Sequence, residues 1–195
     1  MLKKVLAISA ALLIGGGLFA QTSADGGAKP AKAGSVNAVY DFSTGKPAGT
    51  KIGEDMFKYN KPTEVAPKAK VKGGKFILES GEAKWKTEKY TALYHNNGGS
   101  TNFDNLQKRT RAIYSITIDD AANIELTVAG NGSKEPARCV ALCTLNEDGS
   151  LNYIVKIDNL SQDEDPVKLT YKNAPKGKYY IYGNGHRILG VSATN

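Results

Sequence analysis

Residues 82–103, EAKWKTEKYTALYHNNGGSTNF, gather the side chains best suited to hold a polar ring. Trp85, Tyr90 and Tyr94 offer flat apolar faces of the kind that pack on sugar rings. His95, Asn96, Asn97 and Asn102 add the directional hydrogen bonds that orient such a ligand. The next segment, QKRTR, brings Lys108, Arg109 and Arg111, and arginine can grip a carboxylate through two parallel hydrogen bonds. These residue types predict a saccharide contact that extends to a uronic acid. The competing reading makes Trp85 and Tyr90 core residues and HNNGGSTN a loop of turn formers. Trp85 separates the two: exposed beside Tyr94 it favours sugar, and buried it favours a structural scaffold.

Other chemistries find less support. Hydrolysis of a glycoside needs two carboxylates facing each other across a cleft. Asp119 with Asp120 and the run Asp163-Glu164-Asp165 are turn clusters, and Asp41, Glu54, Glu79 and Glu88 have no spacing that pairs them. No nucleophile elbow is present, so a non-catalytic protein is expected, with a polysaccharide-degrading enzyme as the remote alternative. No cofactor is expected either. Cys139 and Cys143 are the only cysteines, His95 and His186 the only histidines, and zinc sites call for more such ligands. Four residues apart on a strand, the thiols stand about 13 Å from each other, whereas a disulfide needs Cα atoms within about 7 Å. They are expected as free thiols in the core. TLNEDGSLNYIV imitates a calcium loop, but Val155 occupies the place of the bidentate glutamate, which leaves a hairpin turn. A structural calcium at Asp41 or QDEDP has no supporting spacing.

The chain opens with MLKKVLAISAALLIGGGLFAQTSADGG: a basic start at Lys3 and Lys4, then an apolar run from Val5 to Phe19, then small residues. This is the pattern of an export leader. Ala20 and Ala24 both suit the cut, and Thr22-Ser23-Ala24 is the better match, which predicts Asp25 as the first mature residue. The apolar run is shorter than the roughly 20 residues of a membrane span. The expected organisation is a leader over 1–24, a flexible spacer over 25–35 and one folded domain over 36–195. An exported protein, periplasmic or extracellular, follows, with no membrane span after cleavage. Loss of Lys3 and Lys4 lowers the formal charge of +7 by two. The remaining positive excess sits between Lys58 and Lys89 and permits an anionic partner, a polysaccharide or another envelope component. Export sets nucleic acid aside.

From Val36 onward the apolar residues alternate. Tyr114, Ile116 and Ile118 share one parity; so do Ile124, Leu126 and Val128, then Leu151, Tyr153, Val155 and Ile157, then Val167, Leu169 and Tyr171. The turn-forming segments DDAAN, GNGSKEPA, NEDGS, DNLSQDEDP, NAPKG and YGNGHR lie between these runs. About nine or ten strands are expected, and residues 54–70 read as an irregular connection. In the last segment Asn184-Gly185 predicts a tight hairpin. Tyr179 and Ile181 then point to one face, Tyr180 and Tyr182 to the other, and His186 and Arg187 are exposed just past the turn.

The order of these strands, from VYDFSTGKPAGTKI through AIYSITID, IELTVAGNG, RCVALCTLNEDGSL, VKLTY and APKGKYYIYGNG to HRILGVSAT, resembles the β-sandwich domains appended to secreted bacterial pectate lyases. The resemblance covers most of residues 37–194. It implies an all-β, two-sheet antiparallel β-sandwich of jelly-roll, carbohydrate-binding-module type, usually non-catalytic and exported. Such domains often accompany a catalytic β-helix, for which this chain has no room. A sugar-binding role would then be exercised alone or with a separate partner.

Overall fold

The structure is a computed structural model that describes residues 21–27, 34–43, 63–64, 69–80, 83–87, 89–95, 113–131, 138–161 and 163–195. These residues form fourteen strands and no helix. In chain order they are β1 (Gln21–Asp25), β2 (Asn37–Asp41), β3 (Thr63–Glu64), β4 (Ala69–Lys70), β5 (Gly74–Ser80), β6 (Lys84–Lys86) and β7 (Ala92–His95). They continue as β8 (Ile113–Ile118), β9 (Ala122–Gly130), β10 (Cys139–Leu145), β11 (Leu151–Ile157), β12 (Val167–Ala174), β13 (Gly177–Asn184) and β14 (His186–Thr194). One sheet runs β1-β12-β9-β14-β2-β4, with the β6–β7 pair joined to β14; the other runs β11-β10-β13-β8-β5-β3. The two sheets pack face to face. Every ladder is antiparallel except β1 with β12.

Strand alternation supplies the core. Tyr114, Ile116 and Ile118 of β8, Ile124, Leu126 and Val128 of β9, and Val167 and Leu169 of β12 are all buried in one cluster. Their period of two points every second side chain between the sheets. Burying each large side chain of this kind stabilises the fold by about 1.5–3 kcal/mol. Across the same interior the Tyr40 hydroxyl accepts a hydrogen bond from the Phe76 backbone N–H at 2.8 Å, tying β2 to β5. Phe76 in turn stacks on Tyr114, with centroids 5.6 Å apart.

β11 departs from the expected parity. Its partner β10 aligns Leu142 with Val155 but Cys143 with Tyr153, so Ile154 is an extra residue in the ladder. A one-residue bulge swaps the faces on either side of it. Val155 and Ile157 therefore join the main core, while Leu151 and Tyr153 pack with Cys139, Ala141, Cys143 and Tyr182 on the other face of the sheet. Both cysteines are buried free thiols, as expected. Burial pushes Cys139 up to about 11 and Cys143 up to about 12.

The turns differ from expectation in kind. NEDGS is a true hairpin: the Asn146 N–H donates to the Ser150 carbonyl, and the Asp148 carboxylate accepts from the Ser150 N–H and hydroxyl. Asn184-Gly185 is not a hairpin turn, because β13 and β14 belong to different sheets. It is a corner, with Gly185 at φ +63° where a side chain is disfavoured, and its carbonyl accepts from the Asn131 N–H. From β8 onward the chain changes sheet at every connection except that between β10 and β11.

Strands also occur outside the runs expected from alternation. Gln21–Asp25, which the sequence divides between leader and spacer, forms one ahead of Val36. The irregular connection expected over 54–70 contains β3 and β4.

Candidate functional site

Strands β6 and β7 form a hairpin that lies against the first half of β14. Trp85 aligns with Leu93 and Leu93 with Ile188; Tyr94 aligns with Arg187, and His95 with His186. Aligned partners share a face, so this register sorts the candidate residues between the interior and the outer surface. Trp85, Leu93, His95 and His186 face the interior. Tyr94 and Arg187 face outward.

Trp85 is 1% exposed and packs on Phe42, with ring centroids 5.7 Å apart. The surface aromatic that the saccharide reading relies on is therefore a core residue. Its neighbours explain the placement: Phe42, Tyr40, Phe76 and Tyr114 form a continuous aromatic wall between the sheets.

His95 is also fully buried. Its Nδ1 lies 3.1 Å from His186 Nε2, and its ring stands edge-on to Tyr114. His186 Nδ1 lies 3.0 Å from the Cys139 carbonyl, an acceptor only, so it must carry the proton. His186 Nε2 is then the acceptor and His95 Nδ1 the donor. In this arrangement His186 donates through one ring nitrogen and accepts through the other, which is its neutral form. Burial first, then the proximity of His95, hold His186 well below the usual histidine range, against the opposing pull of the Cys139 carbonyl. His186 is a buried cross-sheet tie and not the exposed turn residue expected.

Arg187, also expected at the surface, is 2% exposed. Its Nε and Nη2 donate to Asn131 Oδ1 at 3.0 and 2.8 Å, and Nη1 donates to the Tyr90 carbonyl at 3.3 Å. It pins the β6–β7 turn and the segment after β9 to the outer face of β14. Tyr90 and Tyr94 are half-buried there. Lys86 places Nζ 4.6 Å from the Tyr94 centroid, and Lys89 lies 5.4 Å from that of Tyr90. The surviving part of the candidate site is thus a cationic, tyrosine-bearing patch. Asn96, Asn97, Asn102, Arg109 and Arg111 lie outside the described residues.

Sequence reading missed a second concavity. Val39, Asp41, Ser43, Glu125, Thr127 and Ser192 line an open groove of about 360 Å³ on the same outer face, beside Gly190. It is assembled from β2, β9 and β14, whose residues are distant in sequence and include no aromatic facing the groove. The register of β14 with β9 shifts between Ile188 and Gly190 beside this groove, and a glycine inside the strand pattern HRILGVSAT is the one sequence signal that could have marked the irregularity. Its carboxylates are already engaged: Asp41 accepts from the Ser43 N–H and hydroxyl, and Glu125 pairs with Lys168 at 2.8 Å. Among the described residues no group of three or more His, Cys, Asp or Glu side chains could hold a metal. Comparison with protein-family models and with curated proteins finds no match to this chain.

Proposed function

We propose that this chain is an exported, non-catalytic interaction protein of the cell envelope, with a jelly-roll sandwich as its scaffold. The burial of Trp85 carries this reading. The one residue best able to stack on a sugar is spent on the core, together with His95, and what faces outward is a patch of lysine-covered tyrosines. Such a surface suits contact with an anionic partner through charge and shallow apolar area.

A second reading keeps the carbohydrate-binding-module character that the strand order resembles. It is favoured by the placement of Lys86 over Tyr94 and Lys89 over Tyr90, which joins cations to aromatic rings in and before β7. An acidic polysaccharide would meet the ammonium groups first and the ring edges second. The test is a screen of the folded chain against neutral and acidic polysaccharides, by thermal shift and affinity electrophoresis. The scaffold reading expects no shift with any polymer. A shift with polyuronates that disappears in Lys86→Ala and Tyr94→Ala transfers the function to the second reading, and release of products from a polymer would overturn both.

A further inference from the structure

Strand β1 bears on where the leader is removed. Two cuts satisfy the small-residue requirement, after Ala20 and after Ala24, and they differ only in the fate of Gln21–Ala24. Those four residues are structural. Gln21 through Asp25 align one for one with Lys168 through Lys172 in a parallel ladder along β12. Thr22 and Ala24 are half-buried while Ser23 and Asp25 are exposed, the alternation of a genuine edge strand, and Ala24 packs against the main core. The ladder continues past the strand, where the Gly26 N–H donates to the Lys172 carbonyl at 2.7 Å. At its end the Asp25 carboxylate accepts from the Gly27 N–H at 2.9 Å and from Asn173 Nδ2 at 3.1 Å.

Removal of residues 1–24 would erase four of the five aligned pairs of this ladder. It would strip the partner from Lys168 through Tyr171 along the sheet edge and place an ammonium group on Asp25. A bare edge invites pairing with other chains. Removal of residues 1–20 costs the sandwich nothing that the structure describes. We propose that the leader is cut between Ala20 and Gln21, and that the mature chain begins with β1 as the strand that closes the β12 edge. This rests on the export reading given above.

The test is expression of the full chain in an exporting bacterial host, followed by mass determination of the N-terminal peptide of the purified protein. The expected terminus is Gln21, either as the free amine or lighter by one ammonia, since the terminal amine can attack its own side-chain amide and expel ammonia. A terminus at Asp25, or at any residue other than Gln21, overturns the proposal while leaving export intact. An uncut chain beginning at Met1 overturns export and the cut together. A second measurement compares chains produced directly from Gln21 and from Asp25. The shorter one is expected to melt at a lower temperature or fail to fold, and equal melting would remove the structural argument for β1.

Discussion

The inner and outer faces of the β6–β7 hairpin and β14 use similar residue types for opposite ends. Inside, Trp85, His95 and His186 are sealed from water, and each ring is fixed by another: Phe42 on Trp85, Tyr114 on His95, and His95 on His186. Outside, Tyr90 and Tyr94 remain half-buried with lysines lying over them. A shift of one residue in register would exchange the two sets, because strand side chains alternate with a period of two. The difference teaches that aromatic content says little about recognition until the faces are assigned. Here the inner face makes the fold and the outer face is what a partner can meet.

The largest effect is expected from breaking the inner face. Trp85→Ala should cost about 3–5 kcal/mol, the range for truncating a buried large aromatic, and chemical denaturation will measure it. Trp85→Phe should cost visibly less. If Trp85→Ala left stability unchanged, the assignment of Trp85 to the core would fail.

Acid should act on the same face through the histidine pair. His186 is held below its ordinary value of 6.5 in the fold, so between that lowered value and 6.5 the unfolded chain binds the extra proton. Stability is therefore fully present above pH 6.5 and falls as the pH drops below it. The slope approaches about 1.4 kcal/mol per pH unit for one histidine. Denaturation midpoints across this window will show it, and His186→Gln should flatten the dependence. A midpoint that held constant from pH 7 to pH 5 would contradict a neutral, buried His186.

The outer face should respond least. Lys86→Ala is expected to change stability by less than about 1 kcal/mol, the scale of a solvent-accessible cation–aromatic contact, and Tyr94→Ala, which also removes a half-buried ring, by more than that but less than Trp85→Ala. Any loss of binding in these variants would then report on contact with a partner and not on folding. A loss as large as that of Trp85→Ala would erase the distinction between the faces.

Much of the fold was legible in the sequence because alternation and turn chemistry are local. Ile116, Ile118, Leu126, Val128 and Leu169 were placed correctly by parity alone. What was not legible depends on pairing between distant residues. Asn184-Gly185 has the composition of a hairpin, yet the strands it joins belong to different sheets, and only the partners of β13 and β14 decide that. The bulge at Ile154 reverses the faces of β11 through its register with β10. The candidate site shows the same limit. Tyr94 and Trp85 could be recognised as aromatic but not assigned to opposite faces, because Trp85 had no flanking apolar residue on its own short strand to reveal the parity. His186 and Arg187 follow a turn and are polar, so they read as exposed; their burial comes from Cys139, Asn131 and Tyr90, remote in the chain.

Trp85 is the only tryptophan of the chain, so its fluorescence reports on the central claim without interference. The folded protein is expected to emit at short wavelength, to resist quenching by iodide, and to keep that spectrum when saturated with polysaccharide. Denaturation should then shift the emission to longer wavelength and open it to the quencher. Long-wavelength emission in the folded state, free quenching by iodide, or a spectral change on adding a polymer would place Trp85 at the surface and contradict the scaffold account.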